Sequence, residues 1–378
     1  MDVSRWKIRP GRLPTGLIGM LVLAFAAESF VARHDLDALD PDDWQYRLAR
    51  QATARNAKGQ DVLCFGDSLM KVGVLPKVVE SRSGLRTYNL AVCGSQSPAS
   101  YFVLRKALES GARPAAVLVD FHPALLALKP QVNTTHWPYL LGGLDALGLA
   151  WKTHDPSFLG SLLVREVLPS VRARTTLRGW AVAAASGKRH KVRDDMPPVF
   201  RHWNLHAGAQ IMPSHPERDW DVASHQRYIY PAGWRPNRVN AEYVRRFLAL
   251  AEAHGVPVYW LIPPIHPGVQ EAKERVGFDA KYLALVRSYQ ERFPNLVVID
   301  GRHAGYDPKV FFDPDHLGRE GAYALSEDLG DVLRRLRHGV PADRFVALPT
   351  FQARAVEPGI GPYLAEADPA QEVSTTLR

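Results

Sequence analysis

Residues 61–70 read DVLCFGDSLM, and this stretch decides the fold. Asp61 to Phe65 form a short, mostly apolar run that stops at Gly66, the pattern of a buried strand meeting a turn. A helical pattern follows from about Leu69 to Ser81. Working outward, the alternation repeats. RTYNLAV (86–92) reads as a second strand ending at Gly94, Pro98 to Ser110 as a helix, and AAVLVDF (115–121) as a third strand. After a long interruption it resumes with an amphipathic helix over 238–254 and a fourth strand, VPVYWLI (256–262). A helix over 271–292, a fifth strand NLVVID (295–300) and a last helix from near Gly318 complete it. In that last helix Ala322, Leu325, Leu329, Val332 and Leu336 keep helical spacing.

Strands that are continuous apolar runs, each followed by a helix, predict a parallel sheet covered on both faces. The expected fold class is α/β, a flavodoxin-like three-layer sandwich of about five parallel strands. The interruption, residues 124–237, is rich in Trp, Pro, His and Arg and carries apolar helical pieces such as LGGLDALGLAW. It reads as a large, mostly helical insertion with an exposed basic loop, SGKRHKVR (186–193). Asn133-Thr134-Thr135 within it has the form of a glycosylation acceptor. The domain proper is expected over 59–340, and the Pro- and Ala-rich tail 341–378 reads as loosely packed.

The composition, 46% hydrophobic and 23% charged over 378 residues, is that of a globular protein with a substantial core. The net charge of +8 is concentrated in two clusters: Arg5, Lys7, Arg9 and Arg12, then Lys188, Arg189, Lys191 and Arg193. No zinc-finger spacing or RNA-binding signature accompanies them, so nucleic acid is not an expected partner. The first cluster precedes an uncharged run, residues 13–27 (LPTGLIGMLVLAFAA). Basic residues before a short apolar run define a signal peptide or a signal anchor over 1–32. Ala24-Phe25-Ala26 would serve as the cleavage site, and the uncleaved anchor is the favoured reading. Either way the positive-inside rule puts the remainder on the outer side of the membrane, secreted if cleavage occurs. The polar stretch 33–58 reads as a helical stalk. The two cysteines, Cys64 and Cys93, make no disulfide framework and read as small buried hydrophobes.

In a parallel sheet, ligands bind at the carboxyl ends of the strands. Those positions hold Gly66-Asp67-Ser68, then Gly94 and Ser95, then Asp120-Phe121-His122, then Pro263, Pro264 and His266. Asp313-Pro314-Asp315-His316 stands just before the last helix. A serine hydroxyl becomes a nucleophile when a base takes its proton, and histidine titrates in the right range to be that base. Asp313, three residues before His316, would fix the imidazole tautomer and stabilise its charged form. His202, His206 and His215 have no paired carboxylates at ligand spacing, and no P-loop or dinucleotide fingerprint occurs; no metal or cofactor is expected.

GDSL at 66–69 resembles the nucleophile block of the SGNH/GDSL hydrolases, NLAVCG (89–94) resembles their second block, and FFDPDHLGREGAYALS (311–326) resembles their closing D-x-x-H block. The resemblance covers 60–122 and 238–336 and implies a catalytic triad of Ser68, Asp313 and His316. It also implies an oxyanion hole that includes the Ser68 and Gly94 amides. The family's third block, G-x-N-D, is altered: VLVDFHP puts Asp120 at the glycine and His122 at the asparagine. His122 is therefore the expected substitute oxyanion donor, and His266 a candidate substrate contact. The G-x-S-x-G elbow of the α/β-hydrolases is absent. The expected function is a serine-dependent acyl-ester hydrolase (esterase or deacylase) acting at the cell envelope on an acylated carbohydrate or other ester. One alternative is an O-acyltransferase modifying an envelope polysaccharide, served by a membrane acyl-donor partner. Another is a non-catalytic envelope binding or assembly protein that keeps the fold.

Overall fold

The computed structural model describes residues 15–34, 41–187, 201, 203–215, 219–336, 343–357 and 359–365. Both basic clusters and His202 lie outside the described residues. Six parallel strands form one sheet: β1 (Val62–Phe65), β2 (Thr87–Asn89), β3 (Ala116–Val119), β4 (Val258–Ile262), β5 (Leu296–Asp300) and β6 (Phe345–Ala347), in the order β2-β1-β3-β4-β5-β6. This is the doubly wound, flavodoxin-like α/β order extended by one strand.

The helices before the insertion are α1 (Thr15–Arg33), α2 (Pro41–Arg55), α3 (Ser68–Gly73), α4 (Pro76–Ser83) and α5 (Ser97–Glu109). The insertion contributes α6 (Pro123–Ala127), α7 (Trp137–Leu140), α8 (Gly143–Thr153), α9 (Pro156–Val167), α10 (Pro169–Arg172), α11 (Arg174–Ala185) and α12 (Val222–Ile229). The second half adds α13 (Arg238–Ala253), α14 (Pro267–Arg275), α15 (Phe278–Arg292), α16 (Arg319–Leu336) and α17 (Gly361–Ala365).

Alternating strand residues feed two cores. Leu63, Phe65, Val117, Val119, Trp260 and Val298 join the core beneath α2, α5, α13 and α15. Val62, Cys64, Leu118, Leu261, Val297 and Ile299 join the core beneath α4 and α16. Period-two strands buried on both faces are what a three-layer sandwich requires. Cys64 lies in the second core, Cys93 is half-buried in the loop after β2, and both are free thiols.

Three expectations change in detail. The helix expected over 69–81 is two helices, because Pro76 has no amide to continue α3 and instead opens α4. The helix expected over 271–292 is also two, α14 and α15, parted at Gly277 with φ +68°. The segment read as a stalk is helical over α2, but it is docked: Tyr46, Ala49 and Ala52 are buried against α5 and α7. The tail supplies β6, whose place on β5 is set by Arg344. Its guanidinium donates to the carbonyls of Gln290 (2.8 Å) and Phe293 (2.9 Å), while its own carbonyl accepts from Val298 N (2.8 Å). At the opposite edge, Asn89 N of β2 donates to Ala207 O of the insertion (2.9 Å).

At the N-terminus α1 is 19 residues long with mean hydropathy 1.8 and no buried residue, enough by length and composition to cross a membrane. Its one acidic residue, Glu28, accepts hydrogen bonds from the Ser170 amide (2.8 Å) and the Ser170 hydroxyl of α10. Asn133 is buried, with its amide donating to Gly94 O (3.0 Å) and Tyr46 Oη (3.3 Å), so its side chain is structural in the folded chain.

Candidate active site

The loop after β1 is held by its neighbours before any chemistry is considered. Gly66 has φ +140°, and a Cβ there would come within 1.5 Å of the Asp120 carboxyl, so only glycine fits. Asp67 caps α3, accepting from Leu69 N (2.9 Å), and places Ser68 at the first helical position. The Asn89 side chain donates to Met70 O (2.9 Å) and Val74 O (3.1 Å), and Leu75 N donates to Ser326 Oγ of α16 (2.8 Å). The helix that carries Ser68 is thereby fixed both to β2 and to the helix that follows His316.

The turn before α16 brings the other two groups. Phe312 N donates to His316 O (2.8 Å), and Phe311 bridges Leu317, closing a tight loop over 312–316. One oxygen of Asp313 accepts from the amides of Asp315 and His316 (2.9 Å each). The Asp313 carboxylate also accepts from His316 Nδ1 at 2.8 Å, and His316 Nε2 lies 2.7 Å from Ser68 Oγ. With Nδ1–H turned to Asp313, Nε2 presents its lone pair and the serine hydroxyl donates to it. Burial works against a charged His316, but the hydrogen bond and charge of Asp313 outweigh it and the ring's pKa is raised. For Asp313 burial is likewise outweighed, here by His316 and the two amides, and its pKa is lowered.

The loop after β2 is stapled to the nucleophile loop: Val92 N (3.1 Å) and Ser95 Oγ (2.9 Å) both donate to Gly66 O. Gly94 adopts φ +65° and is exposed. Neither the Ser68 nor the Gly94 amide donates to another described residue.

His122 is placed differently from the expectation. Its Nε2 lies 2.8 Å from Tyr230 Oη, and the Tyr230 hydroxyl donates to Asp315 (2.5 Å). Burial raises the Asp315 pKa, but His225 at 2.8 Å, the nearby His122 charge and Tyr230 together hold it down at about 2. As a carboxylate Asp315 only accepts, so the tyrosine proton points to it and His122 must donate from Nε2. Burial lowers the His122 pKa, and its Nε2 proton is engaged by Tyr230 and so is not free to meet an oxyanion. His266 also has a local task. Its Nδ1 accepts from Gly268 N (3.2 Å) at the start of α14, and its own amide donates to Pro314 O (2.9 Å), bracing the 312–316 turn.

Three residues at this edge, Tyr230, His225 and Lys71, escape sequence reasoning, and Asp120, placed there by the sequence, takes a part the sequence does not show. Tyr230 and His225 come from the insertion and reach Asp315 only through the fold. Asp120 is buried beneath Gly66, accepts from Asp67 N (3.1 Å), and leaves its second oxygen without a partner among the described residues. Burial and then the Asp67 charge raise its pKa well above the usual range. Lys71, one turn after Ser68, is buried with Nζ 3.5 Å from the Trp203 ring, and burial pushes its pKa down to about 7.

The clefts bordering Asp120 and His122 are small, about 20 and 10 Å³. A larger groove of about 520 Å³ lies among α8, α13 and α15, and neither it nor the two small clefts is lined by Ser68, Asp313 or His316. His206 meets the Tyr363 ring edge-to-face, and His215 lies against Phe312. No family model and no curated protein sequence matches the chain.

Proposed function

We propose that the protein is a serine-dependent acyl-ester hydrolase of the SGNH type, working through a Ser68 acyl-enzyme at the cell envelope. The observation that carries this reading is the continuous line Asp313–His316–Ser68, with the base 2.7 Å from the nucleophile. Hydrogen-bond reach between nucleophile and base, with the base oriented by a third group, is the arrangement nucleophilic catalysis needs.

In the first step Ser68 Oγ bonds to the ester carbonyl carbon while His316 Nε2 takes its proton. The negative charge on the carbonyl oxygen is met by the amides of Ser68 and Gly94. Collapse breaks the bond to the alcohol, which leaves with the proton from His316. Water then gives a proton to His316 as it attacks the acyl carbon; collapse breaks the Ser68 Oγ–acyl bond, His316 returns the proton to Ser68 Oγ, and the acid leaves. The apolar α1, preceded by Arg5, Lys7, Arg9 and Arg12, supports a membrane-anchored chain with its domain on the outer side.

A fluorophosphonate probe applied to the full chain, followed by peptide mass spectrometry, tests the proposal. Label at Ser68, absent in Ser68→Ala and strongly reduced in His316→Ala, is the expected result. A well-folded chain that takes no label would sink it. Incubation of the labelled-competent enzyme with acetylated oligosaccharides, in water alone and with added sugar acceptors, separates hydrolysis from transfer by whether free acid or a new ester forms.

A further inference from the structure

Helices α8 and α9 pack against each other through Ala146, Leu149 and Ala150 on one and Phe158 and Leu162 on the other. Each also carries a second apolar stripe that faces water. On α8 it is Leu144, Leu147, Gly148 and Trp151; on α9 it is Gly160, Leu163, Val164 and Val167. Both follow the spacing i, i+3, i+4, i+7 that a soluble helix turns towards its core. Here Leu144 is 86% exposed, Trp151 77% and Val167 71%. Apolar exposure patterned in this way on two neighbouring helices marks a contact surface.

Two observations say what covers it. The surface is continuous with the apolar N-terminal helix: α9 packs on α10, and α10 is held to α1 by the Glu28–Ser170 hydrogen bonds. Trp151 also borders the 520 Å³ groove, whose rim carries Lys152, Arg238, Arg245 and Arg292 around Glu242, which is paired with Arg245. A tryptophan flanked by apolar side chains on one hand and by cations on the other matches the headgroup layer of an anionic membrane.

We propose that the outer surface of α8 and α9 lies in the interfacial layer of the membrane that α1 enters, so that the domain is held against the bilayer and does not swing on a tether. The proposal rests on the reading of α1 as a membrane helix. Interfacial helices of this kind sink roughly 5–10 Å into the headgroup boundary, within reach of the first acyl carbons.

The test uses the full chain in vesicles of phosphatidylcholine and phosphatidylglycerol, with and without bromine near the headgroup end of the acyl chains. Subtracting the emission of Trp151→Phe from that of the unmodified chain isolates Trp151. Brominated lipid is expected to remove more than about half of this difference emission. The paired variant Leu144→Glu, Val167→Glu is expected to restore it while the chain still floats with the vesicles. Equal Trp151 emission in brominated and ordinary vesicles, from a chain that floats, overturns the proposal and leaves the anchor standing. Emission that changes only with protein density assigns the surface to a second copy and overturns it too. A chain that does not float removes the anchor reading, and this inference with it.

Discussion

In the proposed reaction His316 takes a proton only when neutral, so its raised pKa would set the acid limb. The rate of fluorophosphonate labelling is expected to fall with decreasing pH through a midpoint above the ordinary histidine value of 6.5. Asp313→Asn removes the carboxylate that raises it; the midpoint should drop, and the rate should fall about 10³–10⁴-fold. An unmoved midpoint would argue against the Asp313–His316 coupling. His122→Gln is expected to cost less than about tenfold in the same assay, short of the 10²–10³ that a lost oxyanion donor costs. Asp120 gives a prediction of another kind. Its folded pKa lies above the unperturbed 3.8, so the folded chain binds the extra proton and stability is lost as pH rises from there through the folded pKa. Asp120→Asn cannot ionise, and its thermal midpoint should gain on the unmodified chain as the buffer becomes more alkaline. A difference that stays flat with pH would contradict the raised pKa of Asp120. At this scale the hydrogen-bonded line Asp313–His316–Ser68 is legible in the sequence because Asp313 and His316 are local neighbours and Ser68 follows a plain strand signal. The line His122–Tyr230–Asp315–His225 is not, since no spacing rule joins an insertion residue to a turn far along the chain.

Among the elements, five strands are legible because burial on both faces leaves unbroken apolar runs. The sixth is not: Phe345 and Val346 are half-buried and Ala347 is exposed, and what fixes β6 is one arginine side chain. Arg344→Ala should therefore lower stability by about 2–3 kcal/mol, read from the urea midpoint, because it strands carbonyls at the end of α15 and before β5. A loss below about half a kcal/mol would mean that water replaces the guanidinium there. The breaks at Pro76 and Gly277 were visible as residue types; reading through them overlooked that proline cannot continue a helix and that glycine readily takes a left-handed turn.

Across the whole molecule, the positive-inside arrangement of the N-terminus gives a direct expectation. A reporter enzyme that works only outside the cytoplasm, fused after Arg378, should be active, and one that works only inside should be silent. The opposite pair of results would remove the envelope from the proposed function. The sheet carries a further consequence. Its residues are made in order, and β6 comes after every member of the triad. A nascent or truncated chain ending before Asp343 thus has Ser68, Asp313 and His316 but leaves the β5 edge unpaired, an open template for a neighbouring chain. Translocation that delivers the residues from Asp343 onward slowly would hold the protein in that sticky state, with Ser68, Asp313 and His316 already present. A chaperone or a crowded membrane surface would meet it there, before the final strand closes the edge.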